Sequence, residues 1–287
     1  TVEGEKEVDP LDKVTLTDMV SYTGLVPGKE YKVTGVLMDK ETGEKLLVDG
    51  KEITAETVFV PETKNGSVDV TFIFDATGLH GKEIVVFEDL YRENVLLATH
   101  ADINDEGQTI KVKNPEIGTT ASFEGEKEID PLDKVTLTDT VSYKDLTPGK
   151  EYRVTGVLMD KSNGKELLIN GEKVTAEATF VATEASGSVD VTFIFDATGL
   201  HGKEIVVFED LYRENMLLAT HADINDEGQT VKIKNPEIGT KATADGKKEI
   251  TADKITITDV VSYTDLTPGK EYKLTGVLMN KATNDKL

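Results

Sequence analysis

Apolar and polar residues alternate through residues 13–18 (Lys-Val-Thr-Leu-Thr-Asp) and 67–74 (Ser-Val-Asp-Val-Thr-Phe-Ile-Phe), in segments rich in β-branched and aromatic side chains. A period of two predicts strands with one face on a core and the other in water. Between such segments stand Val26-Pro27-Gly28-Lys29, Thr42-Gly43, Asp49-Gly50, Asn65-Gly66, Thr77-Gly78 and Asp105-Glu106-Gly107, each with the residue chemistry of a turn. No long segment sustains the helical period, and only Leu79-His80-Gly81 suggests a single helical turn. Short strands at a spacing of about ten residues, seven or more to a unit, predict an all-β chain of immunoglobulin-like β-sandwiches.

The pattern repeats. Residues 66–94 recur unchanged at 187–215, 121 residues further on, and the correspondence runs without a gap from Thr1/Ser122 to Thr119/Thr240. A third copy begins near Gly239 and runs to Leu287, with one residue deleted near Ala252. The expected units are therefore 1–117, 118–238 and 239–287, the first lacking the start of its first strand and the third truncated. A unit of this size is a globular domain in tandem rather than a solenoid repeat. Both ends of the sequence fall inside a unit, so it reads as a piece of a longer protein. The joint Lys-Asn-Pro-Glu-Ile-Gly-Thr at 113–119 returns at 234–240, and a link this short containing Pro115 or Pro236 predicts a stiff rod.

Composition narrows the function. With 54 acidic and 32 basic side chains the 287-residue chain carries a formal charge of -22. Such a surface repels phosphate backbones and anionic headgroups, so no nucleic-acid partner is expected. No apolar run approaches a membrane span, so no membrane insertion is expected, and the N-terminus lacks a signal-peptide pattern. The absence of cysteine removes disulfides, thiolate metal sites and cysteine nucleophiles.

No motif of a multiple-turnover enzyme stands out: there is no phosphate-binding glycine loop, no His-Glu-x-x-His and no Gly-x-Ser-x-Gly. Residues 102–107 resemble the opening of a calcium loop, but the twelfth position is Lys113 where a bidentate Glu is needed, so the segment reads as a turn and no metal or cofactor is expected. The four histidines form two equivalent pairs. His80 and His201 lie in glycine-rich turns and read as exposed. His100 and His221 each stand eight residues before a glutamine, Gln108 or Gln229, where the final strand begins.

Three motifs then converge. Val85-Val86-Phe87-Glu88 and Val206-Val207-Phe208-Glu209 match a Val-x-Phe-Glu signature; His100–Gln108–Thr109 and His221–Gln229–Thr230 share a His-x7-Gln-Thr spacing; Gly118-Thr119-Thr120-Ala121 and Gly239-Thr240-Lys241-Ala242 share Gly-Thr-x-Ala. Together they resemble the VaFE-repeat domains, the Thr–Gln ester-bond domains of Gram-positive surface adhesins. The resemblance implies that a Thr on the first strand and a Gln on the last join in an intramolecular ester with loss of ammonia, assisted by an acidic pair and a His. Carried onto the complete unit, it makes Thr119 the nucleophile, Gln229 the electrophile, and Asp139, Glu209 and His221 the helpers. Thr120 is the weaker nucleophile, because its counterpart in the third copy is Lys241 while Thr240 is kept, and adjacent strand residues face opposite sides.

The residue types suit such chemistry. A Thr hydroxyl and an amide carbonyl are both sluggish, so the site must remove a proton and polarise a carbonyl. Two buried carboxylates close together cannot both ionise, so one of Asp139 and Glu209 should hold a proton; which of these two and His221 acts as base stays open. The first unit has Asp18, Glu88, His100 and Gln108, but Thr1 corresponds to Ser122 and no counterpart of Thr119 is present; the third has Thr240 and Asp259 without Glu, His or Gln. One bond is expected, in the middle unit.

The expected function is that of a structural stalk repeat in a bacterial adhesin: extracellular, monomeric, self-cross-linking once rather than catalytic, and wall-anchored through regions outside this sequence. Its partners would be the neighbouring repeats, with a host-surface ligand bound by a domain elsewhere. Two alternatives are a Lys–Asn isopeptide domain using Lys134, Asn235 and Glu209, which would leave the His–Gln spacing without a purpose, and a ligand-binding sandwich without a cross-link.

Overall fold

A computed structural model describes residues 1, 4–244, 246–249 and 254–287, and contains no helix among them. It is an all-β chain of tandem immunoglobulin-like sandwiches. In the second repeat a three-stranded antiparallel sheet orders Glu116–Ser122, Val135–Lys144 and Gly187–Phe195. Facing it, a seven-stranded sheet runs Glu128–Ile129, Thr230–Ile233, Glu204–Arg213, Glu151–Asp160, Lys165–Glu166, with Thr175–Val181 and Met216–His221 pairing onto Glu151–Asp160 and Glu204–Arg213 respectively. The first repeat has the same arrangement without the first strand, so its smaller sheet is the pair Val14–Tyr22 and Gly66–Phe74.

The alternation seen in the sequence governs which side chains meet. Along Val135–Lys144 the buried residues are Val135, Leu137, Asp139, Val141 and Tyr143, and along Glu204–Arg213 the alternate positions Ile205, Val207, Glu209, Leu211 and Arg213 are buried. Hydrophobic residues on these faces, with Val191 and Phe193, form a closed core. The same period delivers one carboxylate from each sheet into it.

One local device differs from the sequence-based expectation, and a second was not anticipated by it. Leu79-His80-Gly81 forms consecutive reverse turns rather than a helical turn, with Leu79 N donating to Ala76 O at 2.9 Å and Lys82 N to Leu79 O at 3.0 Å; Gly81, at φ +74°, has a left-handed conformation that does not continue a helix. The tight hairpin at Glu214-Asn215 has φ of 50° and 68°, the two positive values of a type I′ turn, although no glycine marks it. Together with a register shift between Leu211 and Tyr212, that hairpin brings His221 opposite Glu209.

Gly156, paired with Glu209 across the sheet, leaves room for a core ring: a Cβ there would stand 2.5 Å from Phe193 Cζ. Gly156→Ala should therefore overpack the core by about 1–3 kcal/mol and lower the calorimetric midpoint of this repeat by several degrees. Gly199→Ala, where nothing lies within 4 Å, should leave it nearly unchanged.

Candidate functional site

The site of the second repeat is built where its first and last strands come together. Glu116–Ser122 lies antiparallel on Val135–Lys144, with Thr119 opposite Val141 and Ala121 opposite Asp139. Ala121 N donates to Gly228 O at 3.0 Å, which fastens this strand to the loop that carries Gln229. Thr119 is half-buried on the inward side and Thr120 exposed, as alternation requires. The Thr119 hydroxyl donates to Glu209 Oε2 at 3.2 Å.

Asp139 and Gln229 are fully buried and Glu209 is 1% exposed. Five of their side-chain atoms have no hydrogen-bond partner: both oxygens of Asp139, Glu209 Oε1, and Nε2 and Oε1 of Gln229. Orphaned groups of this kind are expensive, so their concentration at one place is informative. Burial, then the neighbouring Asp139, pushes the Glu209 carboxyl up to about 10, and burial also raises that of Asp139. One shared proton resolves the pair: a protonated Glu209 can donate to an ionised Asp139, which two acceptor-only carboxylates cannot do.

His221 stands opposite Glu209, and its Nε2 lies 2.8 Å from Asp226 Oδ2. The hydrogen bond to His221 is the largest influence holding the Asp226 carboxyl below its usual range. Lys127 reaches in from the turn after the first strand and donates to Ala121 O at 2.7 Å and to Gly228 O, tying the strand of Thr119 to the loop of Gln229. Burial lowers the Lys127 ammonium below its usual range. Neither Asp226 nor Lys127 was singled out from sequence. The available signals were Asp three residues before each Gln and a Lys at the same place in every unit: Lys6, Lys127 and Lys248.

The other repeats place their counterparts differently. In the first, Thr17 N donates to Thr1 O at 2.9 Å, so Thr1 occupies the place of Ser122, and both Glu88 carboxylate oxygens are without a hydrogen-bond partner among the described residues. Burial, then Asp18, pushes Glu88 up to about 9. With the Gln108 amide turned so that Nε2 faces Asp18, it donates to both carboxylate oxygens, at 3.1 and 3.2 Å. His100 is 51% exposed against 23% for His221, and a groove of about 410 Å³ lined by Glu88, His100 and Gln108 opens beside Val20–Thr23. In the third repeat Thr240 pairs with Val261 and Ala242 with Asp259, and both Thr240 and Asp259 are exposed. Lys134 and Asn235, the isopeptide alternative, are exposed while Glu209 is buried, and the Asn235 amide donates to Glu237 at 3.4 Å.

The family described as the T-Q ester bond containing domain matches residues 1–112, 115–233 and 236–287, which is almost the whole chain. The chain belongs to that family. Each T-Q ester bond domain match spans one copy of the internal repeat, the second enclosing Thr119 through Gln229. No curated protein matches this T-Q ester bond domain protein. Solved structures similar to it include an adhesin of Mobiluncus mulieris containing disulfide, isopeptide and ester cross-links, at 14% identity over 53% of this chain and 76% of that one, TM-score 0.39. Others are the C-terminal domain of the Streptococcus agalactiae antigen I/II polypeptide BspA, at 9% identity over 80% and 95%, TM-score 0.41, and that of the Streptococcus pyogenes antigen I/II-family protein AspA, at 7% over 80% and 94%, TM-score 0.39.

A pH dependence follows from the buried pair. The folded chain keeps a proton on Glu209 that the unfolded chain releases near its ordinary 4.5, so without a cross-link the contribution of Glu209 is full below that pH and is lost as pH rises towards about 10. In Thr119→Ala the melting midpoint of this repeat should fall between about pH 5 and 9, and adding Glu209→Gln should remove much of that slope. Equal slopes in the two variants would mean that Glu209 is not the titrating group.

Proposed function

We propose that the second repeat closes an ester between Thr119 and Gln229 and that the chain serves as load-bearing stalk repeats of a bacterial surface adhesin. The observation that carries this reading is the buried acidic pair at which the half-buried Thr119 hydroxyl is hydrogen-bonded to Glu209, near a buried Gln229 amide with no partner. Among the described residues, every orphaned buried side-chain atom belongs to this pocket or to Glu88, its counterpart in the first repeat. An ester removes the amide nitrogen that would otherwise stay unsatisfied, and the surrounding core shields the product from water.

The step balances within the pocket. Thr119 Oγ1 attacks the Gln229 side-chain carbonyl carbon as its proton passes to Glu209 Oε2 and the proton that Glu209 already holds moves to Asp139. The Cδ–Nε2 bond breaks, and the amide nitrogen leaves as ammonia with one added proton. The acidic pair can relay that proton: Glu209 faces the hydroxyl, and in the first repeat Asp18, the counterpart of Asp139, faces the glutamine nitrogen. A proton taken at Glu209 and given up at Asp139 leaves the pair unchanged. His221, fixed by Asp226, favours the ionised form of Asp139. Each site would react once, which fits a family of ester-bond domains rather than a turnover enzyme.

Closing a loop of about 110 residues would stabilise the repeat by roughly 4 to 5 kcal/mol on chain-entropy grounds. Tension applied at the two ends would run through the bond and largely bypass the strands between. Tandem near-identical repeats, three-residue links and the absence of cysteine suit an exported spacer that holds a binding domain, located elsewhere, away from the cell wall.

The intact mass of the 287-residue chain should be one ammonia below that of its sequence. Thr119→Ala or Gln229→Ala should restore the full mass, and Thr240→Ala should leave the deficit in place. A wild-type chain at full mass would rule the bond out. Lys127→Met should slow formation about tenfold by loosening the approach of the two strands, leaving two masses one ammonia apart, while Lys127→Arg retains most of the rate.

A further inference from the structure

Among the described residues outside the ester pocket and its first-repeat counterpart, the most deeply buried carboxylate joins two repeats. The Asp9 side chain is fully buried, yet among the described residues the three side-chain groups that bond it belong to the following repeat. Thr147 Oγ1 donates to Asp9 Oδ1 at 2.8 Å, Tyr152 OH donates to Oδ2 at 2.8 Å, and Arg213 pairs with Oδ2. We propose that successive repeats are locked in one relative orientation by this carboxylate plug of the preceding repeat, seated in a hydroxyl and guanidinium socket on the next. The inference does not rest on the Thr119–Gln229 bond.

Both halves are built into their own repeats. Asp9 follows the short strand Glu7–Val8, which pairs in parallel with Thr109–Val112, and Lys113 N donates to Val8 O at 2.8 Å; the plug is therefore fastened to the strand that leaves the repeat. In the socket, Tyr152 OH accepts from Thr147 N at 2.8 Å while donating to Asp9, and the Tyr152 ring is buried against Phe180. Arg213 stands at the tip of the hairpin whose strand also carries Glu209.

The arrangement recurs one repeat on, where Thr267 Oγ1 donates to Asp130 Oδ1 at 2.7 Å and Tyr272 OH to Oδ2 at 3.3 Å. At this joint the Asp130 side chain is 19% exposed, whereas that of Asp9 is fully buried. Arg92, the counterpart of Arg213 in the first repeat, is 32% exposed against 9% for Arg213, and each guanidinium lies 3.4 Å from the glutamate that follows it. A second brace lies beside the link. Asn114 N donates to Asp145 Oδ2 at 2.7 Å, and buried Lys113 pairs with Glu7 at 3.0 Å and Asp145 at 3.6 Å; Asn235 N donates to Asp265 Oδ2 at 2.6 Å.

A short proline-containing link limits the separation of two domains but leaves bending and twist. Donors converging from three directions on one carboxylate remove that freedom, because charge-assisted bonds are directional and a desolvated charge tolerates no misplaced partner. The plug and the link are two separate points of attachment, so they constrain orientation as a single link cannot.

The chain has no cysteine, so Ser67→Cys and Ser188→Cys at exposed, equivalent positions give unique spin labels on the first two repeats. Pulsed electron paramagnetic resonance on the full chain should give one narrow label distance. Asp9→Ala and Arg213→Ala should each replace that peak with a broad distribution, with circular dichroism unchanged, whereas Asp130→Ala, at the other joint, should keep the narrow peak. A broad wild-type distribution, or a peak equally narrow in both Asp9→Ala and Arg213→Ala, would overturn the proposal. The mass deficit measured on the same samples reports the ester separately.

Discussion

Everything at the centre of the second repeat depends on a physical conflict: two carboxylates, one from each sheet, face into the same core. Asp139 and Glu209 cannot both be charged where water is excluded, because burial favours the neutral form of each. The raised Glu209 carboxyl is the outcome. A proton kept between two acids is poised to be moved, and the hydroxyl of Thr119 already donates to one of them.

Comparison within the chain isolates what the first strand contributes. With it in place, Gln229 and Asp139 are buried and His221 is mostly covered; in the first repeat, where residue 1 takes the position of Ser122, His100 and Gln108 line an open groove and Asp18 is half-buried. One strand thus completes the smaller sheet, covers Asp139 and carries the hydroxyl proposed as the nucleophile. Placing the proposed nucleophile and excluding water would then be a single folding event, so that a bond formed once could also last.

The mechanical reading extends this logic outward. Inside a repeat, the proposed ester would join the strand on which force enters to the strand on which it leaves. Between repeats, the departing strand also carries the segment of Asp9, whose carboxylate is held by the next domain. The two devices answer different loads. A covalent bond resists extension, and an oriented ionic joint resists bending.

Much of this was legible along the chain because local periodicity is a local property. Alternation gave the strands, the exact repeat gave the tandem architecture, and Lys241 opposite Thr120 favoured Thr119 as the inward hydroxyl. Inward placement of Asp139 could also be read from its phase with Leu137 and Val141. Lys127, Asp226 and Asp9 were not legible as partners, since each looks like an ordinary charged residue of a turn. Arg213 lies 204 residues from Asp9, and no periodicity links positions so far apart in different domains. The sequence by itself determined which faces are buried and which residue types are available, because both follow from the order of side chains along a strand. Only the tertiary structure decided which buried groups meet, which proton is shared and how one repeat seats on the next, because those depend on sheets and domains closing over one another.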